Sequence, residues 1–273
     1  MILLDGRKLA ERILFDIKHE IESRKLKLKL VVIQVGDDQI SNVYIDKKKN
    51  TCEFVGIDFE LVKFSADIDK NELREAINKI INDQKVSGIV IQLPLPKRFI
   101  AEEFLDLIPK EKDVDILAEE SFKLFSRGES KILPPTVGAI TTLLKDYNIG
   151  LENKKIVIVG AGRLIGKPLE SWFELQKLDF AILDKSTKDI SILIKDADIL
   201  ISGTGKANLI NGDMIKHNAI VIDAGSSTEN GKTSGDIEFE SVSKKASYIT
   251  PTIGGVGPLT VACLLRNLVE LNK

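Results

Sequence analysis

Residues 154–168, KKIVIVGAGRLIGKP, constrain the fold more than any other stretch of this chain. Residues 156–159 are apolar without alternation, the pattern of a parallel strand covered by helices on both faces. Gly160, Gly162 and Gly166 follow with the spacing GxGxxxG, one residue longer than the usual dinucleotide fingerprint. Without Cβ atoms, Gly160 and Gly162 allow a tight turn and the approach of a phosphate to the backbone. Pro168 suits the first turn of a following helix, whose free N–H groups and dipole favour an anion. Strand, glycine turn and helix start in that order point to nucleotide binding. An ordinary βα turn is the alternative.

With 273 residues, the chain has room for two domains. A formal net charge of -2 gives no ground for a nucleic-acid partner or an anionic membrane surface. Cys52 and Cys263 are too far apart in sequence to form a disulfide framework or a zinc motif, and no metal is expected. They read as thiols in a reducing cytoplasm. No signal peptide is evident, because Asp5, Arg7 and Lys8 interrupt the N-terminal apolar residues. No apolar run approaches the length of a membrane span. His19 and His217 are expected at helix surfaces, so the chemistry falls to Lys, Tyr, Asp and Gln.

Helical periodicity is expected over 5–23, 39–54 and 71–82, the second helix closed by Gly56. Strands are expected at 28–35, 57–64 and 88–93. These units make one α/β domain. A connecting helix over 137–147 leads to a second α/β run. Its strands are expected at 155–159, 179–183, 198–202 and 219–223, with helices at 164–178 and 188–195 and a last apolar helix at the C-terminus. The fold class is α/β: two α/β domains with a cleft between them, the second a Rossmann-type doubly wound parallel sheet.

Ser41, Tyr44 and Lys48 fall on one face of the second helix. Lys47 and Lys49 flank Lys48, so like-charge repulsion should ease its deprotonation; a solvated lysine-rich face is the alternative. Gln92 ends a strand, where open α/β sheets place ligands, and its amide can donate and accept. Asp113 and Asp115 straddle Val114 and would point the same way in an extended segment. One of them could accept from the edge of an amidine-like heterocycle. TIGGVG, residues 252–257, permits close approach of something flat or charged, or serves as a flexible connection. Asp223, Ala224 and Gly225 end a strand where a ribose or nicotinamide could lie.

In their order and spacing, these motifs resemble the bifunctional methylenetetrahydrofolate dehydrogenase / methenyltetrahydrofolate cyclohydrolase family over nearly the whole chain. The landmarks are LDGRKLA, VGDDQISNVYIDKK, GIVIQLPLP, KDVD, IVIVGAGRLIGKP, IDAG, GDIEFESV and TPTIGGVGPLT. The resemblance implies a folate-binding catalytic domain of residues 1–138 plus 257–273 and an NAD(P)-binding Rossmann domain of 139–256. It implies oxidation of 5,10-methylenetetrahydrofolate and then hydrolysis to 10-formyltetrahydrofolate, in a cytoplasmic homodimer.

By resemblance, Lys48 is the lysine of the hydrolytic step and Tyr44 packs on the pterin. Gln92 supports Lys48, and Asp115 holds the pterin ring. Gly254, Gly255 and Pro258 join the substrate side. Gly160, Ala161, Gly162, Arg163, Gly166, Asp184, Ser186 and Ser226 are expected to bind cofactor. NADP is expected first by resemblance, with NAD a close second because Ala161 and Gly162 replace the family's arginine and serine and Asp184 stands near a ribose position. The chain also departs from the family at DVDI, with Ile116 for glycine, at PPTVG and at TIGG. Those departures keep open a non-catalytic or monofunctional relative. A short-chain dehydrogenase is disfavoured, since Tyr44 precedes the glycine turn.

Overall fold

The computed structural model describes residues 1–229 and 232–273. In chain order its elements are β1 (Ile2–Leu3), α1 (Gly6–Arg24), β2 (Lys29–Val35), α2 (Gln39–Val55), β3 (Asp58–Phe64), α3 (Lys70–Asn82) and β4 (Gly88–Ile91). Short helices α4 (Glu102–Leu105) and α5 (Glu119–Ser126) precede α6 (Pro135–Asp146), β5 (Ile156–Val159), α7 (Gly166–Leu175), β6 (Phe180–Leu183) and α8 (Ile190–Ile194). Then come β7 (Ile199–Ser202), β8 (Ile220–Asp223), β9 (Ser227–Glu229), β10 (Lys232–Ser234), α9 (Phe239–Ser243), β11 (Tyr248–Ile249) and α10 (Val256–Leu271).

The chain divides into two compact units. The first comprises Glu11–Pro135 and Val261–Lys273; the second comprises Met1–Ala10 and Thr136–Thr260. The opening residues were expected in the first domain. They lie in the second unit because β1 pairs in parallel with β11, Ile2 opposite Tyr248 and Leu3 opposite Ile249.

In the first unit β3, β2 and β4 form a parallel sheet in that order. Strand period two sends Leu30, Val32 and Val90 to one face, where Ile17 and Ile21 of α1, Ile45, Cys52 and Val55 of α2, and Leu264 and Leu268 of α10 cover them. Val31, Ile33, Ile89 and Ile91 go to the other, against Leu73 and Ile77 of α3 and Phe104. Both faces are therefore apolar, which explains the runs without alternation. α2 starts at Asp38, whose side chain accepts from Ser41 N–H, and stops at Gly56, φ 83°.

In the second unit a six-stranded sheet has the order β1-β11-β8-β7-β5-β6. Its core joins Val157, Val159, Leu200 and Val221 of the strands to Ile194, Ile210, Ile215 and Val242. From β5 the chain adds β6 on one side and then β7 on the other, the reversal of a doubly wound sheet.

Candidate active site

The first unit gathers its polar side chains where β2 and β4 end. The sheet grows from β2 to β3 on one side and later gains β4 on the other, so β2 and β4 flank a switch point, where α/β sheets bind ligands. Ser41, Ile45, Lys48 and Cys52 are all buried. Their spacing makes them the inner stripe of α2. Lys48 is thus carried inward, 8% exposed, and its Nζ donates to Gln92 Oε1 at 2.7 Å. Gln92 Nε2 in turn donates to the Leu93 carbonyl at 2.9 Å, which fixes the acceptor end of the amide on Lys48. Ser41 Oγ donates to Asp38 Oδ2 at 2.8 Å and reaches the same Leu93 carbonyl at 3.3 Å. The start of α2 and the end of β4 are tied together at that carbonyl.

Burial depresses the Lys48 pKa, opposed by the Asp115 carboxylate. The flanking lysines, expected to cause this shift, do not. Lys47 and Lys49 are exposed, and the Lys47 ammonium lies 5.2 Å from the centre of the Tyr44 ring. Asp115 is half-buried, and desolvation pushes its carboxyl up to about 6 against the pull of Lys48. Lys48 and Asp115 are therefore both displaced towards their neutral forms. Cys52, a turn beyond Lys48, is buried and its thiol is pushed up to about 12.

Asp113 and Asp115 part company, because the segment is a turn rather than extended. Asp113 is buried and accepts from Ala118 N–H at 2.9 Å and Leu117 N–H at 3.3 Å. It staples its own loop. Ile116 stands at φ 54°, a left-handed conformation that costs a β-branched residue and suits glycine. Its side chain is buried, and Asn267 Nδ2 holds the neighbouring Val114 carbonyl at 2.9 Å. Gln34, which no sequence pattern singles out, is buried at the end of β2 and donates to Asn42 Oδ1 at 2.7 Å.

In the second unit Gly160 has φ 105°, and a Cβ there would lie 2.6 Å from the carbonyl of Gly203, which follows β7. The ends of β5 and β7 meet at this point, the switch of the sheet. A Cβ at Gly166 would overlap the Gly160 carbonyl, so this glycine serves the packing of helix start on strand end. Gly162 differs from both: nothing lies within 4 Å of its Cβ position. Its expected role in tightening the turn is not borne out sterically. Ala161 and Arg163 beside it are half-buried, and the α7 N-terminus begins at Gly166 without a side-chain cap. A glycine crevice opening on an uncapped helix start fits a dinucleotide phosphate.

Asp184 is exposed and closes a turn after β6. Its Oδ1 accepts from Ser186 N–H at 2.9 Å and from the Ser186 and Thr187 hydroxyls, which holds its carboxyl below the usual range. Asp223, expected near a ribose, is instead buried and bonded to backbone amides. Ser226 is half-buried just after it. Gly254, φ 97°, and Gly255 are buried against the start of α1, where Arg7 N–H donates to the Gly254 carbonyl at 2.8 Å. They serve that packing rather than a flexible connection; Pro258 is half-buried in the first turn of α10. His19 is exposed on α1, whereas His217 lies on an exposed turn and not on a helix. Among the described residues no group of His, Cys, Asp and Glu could hold a metal ion, and no helix is long and apolar enough to cross a membrane.

Comparison with known proteins agrees with this arrangement. Residues 4–115 match the tetrahydrofolate dehydrogenase/cyclohydrolase catalytic domain, and residues 134–273 match the NAD(P)-binding domain of the same family. The bifunctional protein FolD of Hydrogenobaculum sp. is 44% identical over 275 residues, covering 100% of this chain and 99% of that protein. The crystal structure of the bifunctional FolD dehydrogenase/cyclohydrolase from Campylobacter jejuni superposes with a TM-score of 0.93 at 39% identity, covering 99% of this chain and 98% of that one. The Trypanosoma brucei enzyme, solved with NADP cofactor and inhibitor, gives a TM-score of 0.93 at 28% identity, covering 99% of this chain and 97% of that one. The chain belongs to the tetrahydrofolate dehydrogenase/cyclohydrolase family and carries both of its domains.

Proposed function

We propose that, in this methylenetetrahydrofolate dehydrogenase and methenyltetrahydrofolate cyclohydrolase, Lys48 is the base of the hydrolytic step and the switch point at Gly160 and Gly203 receives the nucleotide. The observation that carries the reading is the buried Lys48, bonded to Gln92 at 2.7 Å and lowered in pKa by burial. Loss of hydride from the one-carbon bridge of the folate leaves a cation delocalised over two nitrogens. Water adds to that carbon with loss of one proton; the resulting hydroxyl then gives up its proton as the formyl C=O forms, and the carbon–N5 bond breaks with its electron pair, N5 taking up a proton, to give the 10-formyl product. The adding water must lose a proton, and a neutral lysine amine accepts it. Gln92 occupies one N–H of that amine and leaves its lone pair for the water. Positioned general bases contribute about 10²–10⁴-fold.

Asp115 accepts from the pterin edge and Tyr44 offers a ring face to it; by resemblance alone Gly254, Gly255 and Pro258 are counted as substrate-binding. Gly160, Ala161, Gly162, Arg163, Gly166, Asp184, Ser186 and Ser226 hold the cofactor, taken as NADP first and NAD second. When bound, the nicotinamide supplies the hydride acceptor. The proposed domains are a folate-binding catalytic domain of Glu11–Pro135 plus Val261–Lys273 and an NAD(P)-binding domain of Met1–Ala10 plus Thr136–Thr260. A homodimer and a cytoplasmic location complete the reading by resemblance, and light scattering of the purified protein tests the dimer.

The test is a coupled assay with methylenetetrahydrofolate and each nicotinamide cofactor, followed by hydrolysis of methenyltetrahydrofolate without cofactor. Both activities are expected. Absence of both would leave a folate- or nucleotide-binding relative without catalysis.

A further inference from the structure

The loops beyond β7 and β8 are held by buried carboxylates to which no role has yet been given. Asp236 is 0% exposed. Its Oδ2 accepts from Ser202 Oγ at 2.7 Å and from Thr204 N–H at 2.6 Å, and its Oδ1 accepts from Lys206 N–H at 3.0 Å. Asp223, 7% exposed, accepts at Oδ1 from Gly225 N–H at 3.0 Å and Asp236 N–H at 3.2 Å, and at Oδ2 from Ile237 N–H at 3.1 Å. The N–H of Asp223 donates to Thr250 Oγ1 at 2.7 Å. A Cβ at Gly225 would overlap the Asp236 carboxyl, and one at Gly235 would overlap that of Asp223. The glycines and the aspartates thus interlock: each carboxylate occupies the space that a glycine of the other's segment leaves empty.

The position of this lock gives it a function. Gly203 follows β7 and touches the site of Gly160, so residues 203–206 form one wall of the switch-point crevice. That wall contains Gly203, which a Cβ would drive into Ile165 at 2.5 Å, and Gly205, φ 70°. Its two glycines carry no side chains of their own to hold its shape. Among the described residues, the amides at Thr204 and Lys206 both donate to the Asp236 carboxylate, and Lys206 N–H also lies 3.2 Å from the Thr204 hydroxyl. A buried carboxylate that takes three uncharged donors, two on one oxygen and one on the other, is suited to fixing a backbone.

We infer that Asp236, locked by Asp223, is a positioning residue for the dinucleotide: it sets the shape of residues 203–206 that the cofactor meets at the switch point. This rests on the cofactor reading above. The residue acts through the backbone and touches no reacting atom.

The test uses the full chain with Asp236→Asn, which turns an acceptor into a donor facing N–H or O–H donors, and the milder Ser202→Ala. Three readouts are taken: KM and kcat for NADP, cofactor-free hydrolysis of methenyltetrahydrofolate, and amide hydrogen exchange at Thr204 and Lys206. Asp236→Asn is expected to lose exchange protection at both amides and to raise the cofactor KM by about tenfold or more, with hydrolysis within about twofold of the parent. Ser202→Ala is expected to raise the KM by about two- to fivefold, and it keeps the inference testable if the asparagine variant fails to fold. Lost protection with an unchanged KM would overturn the inference while leaving the cofactor reading standing. A parallel fall of both activities would overturn it too, by making Asp236 a general fold residue. A parent that turns over neither NADP nor NAD removes the cofactor reading and the inference with it.

Discussion

Both units place polar groups where a parallel sheet reverses its direction of growth, yet they treat buried charge in opposite ways. In the first, Lys48 has the Gln92 oxygen for a partner at 2.7 Å, and Lys48 and Asp115 are both displaced from ordinary ionisation by burial. In the second, Asp223 and Asp236 take donors on both oxygens, from backbone amides and a serine hydroxyl. Lys48, as a neutral amine with one N–H on Gln92, keeps a free lone pair for a proton. Asp223 and Asp236, which hold loops, each accept three hydrogen bonds, shared over both oxygens. Burial alone does not separate the two; the count of partners does.

The two units are most readily separated at Gly160. Gly160→Ala pushes a methyl group into the Gly203 carbonyl and is expected to cost about 100-fold or more in dehydrogenase kcat/KM for the cofactor, with hydrolysis retained. Parallel loss of both activities in steady-state assays would contradict the division of labour. Asp115→Ala is expected next. Loss of a charge-assisted bond of about 1.5–3 kcal/mol weakens folate binding by roughly 10–150-fold. Asp113→Ala should weaken folate binding far less and lower the melting temperature instead, since Asp113 is bonded to Ala118 and Leu117. Equal folate affinities for the two variants, by calorimetry, would reverse this assignment.

Smaller effects sharpen the second unit. Asp184→Ser removes a carboxylate from the end of β6, and the ratio of kcat/KM for NADP over NAD should rise by a few-fold. An unchanged ratio in a parent that strongly prefers NADP would place Asp184 in its turn and nowhere else. The smallest effect concerns pH. Burial and the neighbouring Asp236 push Asp223 up to about 7. Between about pH 4 and that value the folded carboxyl keeps a proton that the unfolded one has released, so stability falls as pH rises. Asp223→Asn lacks this dependence. The melting temperature of the parent relative to Asp223→Asn should therefore drop between pH 4.5 and 7.5; a constant difference would show Asp223 ionised throughout.

Much of this was legible in the sequence for identifiable reasons. Unbroken apolar runs such as IVIV at β5 read as strands because both faces of each sheet are covered. Gly56 ended α2 as expected because the left-handed cap admits glycine cheaply. The period of Ser41, Ile45, Lys48 and Cys52 already carried the burial of Lys48. The neighbouring lysines hid it, because charge adjacency in sequence is not proximity on a helix. The separate roles of Asp113 and Asp115 depend on a turn at Ile116, whose side chain argues against its own left-handed backbone. Asp236 was invisible for another reason. Its partner Ser202 is 34 residues away, and no local pattern encodes that pairing. GDIEFESV was recognisable as a motif, but its aspartate had no assignable partner until β7 and β8 lay side by side.

On the proposed function, hydrolysis depends on the buried amine of Lys48 and not on the nucleotide unit. Its most direct test is Lys48→Met, whose unbranched side chain fills nearly the same space without a base. Hydrolysis of methenyltetrahydrofolate is followed without cofactor, and NADP affinity is measured by calorimetry on the same preparation. The expected result is a rate lower by about 100-fold or more with cofactor affinity within about twofold of the parent. Hydrolysis at the parent rate would contradict the claim.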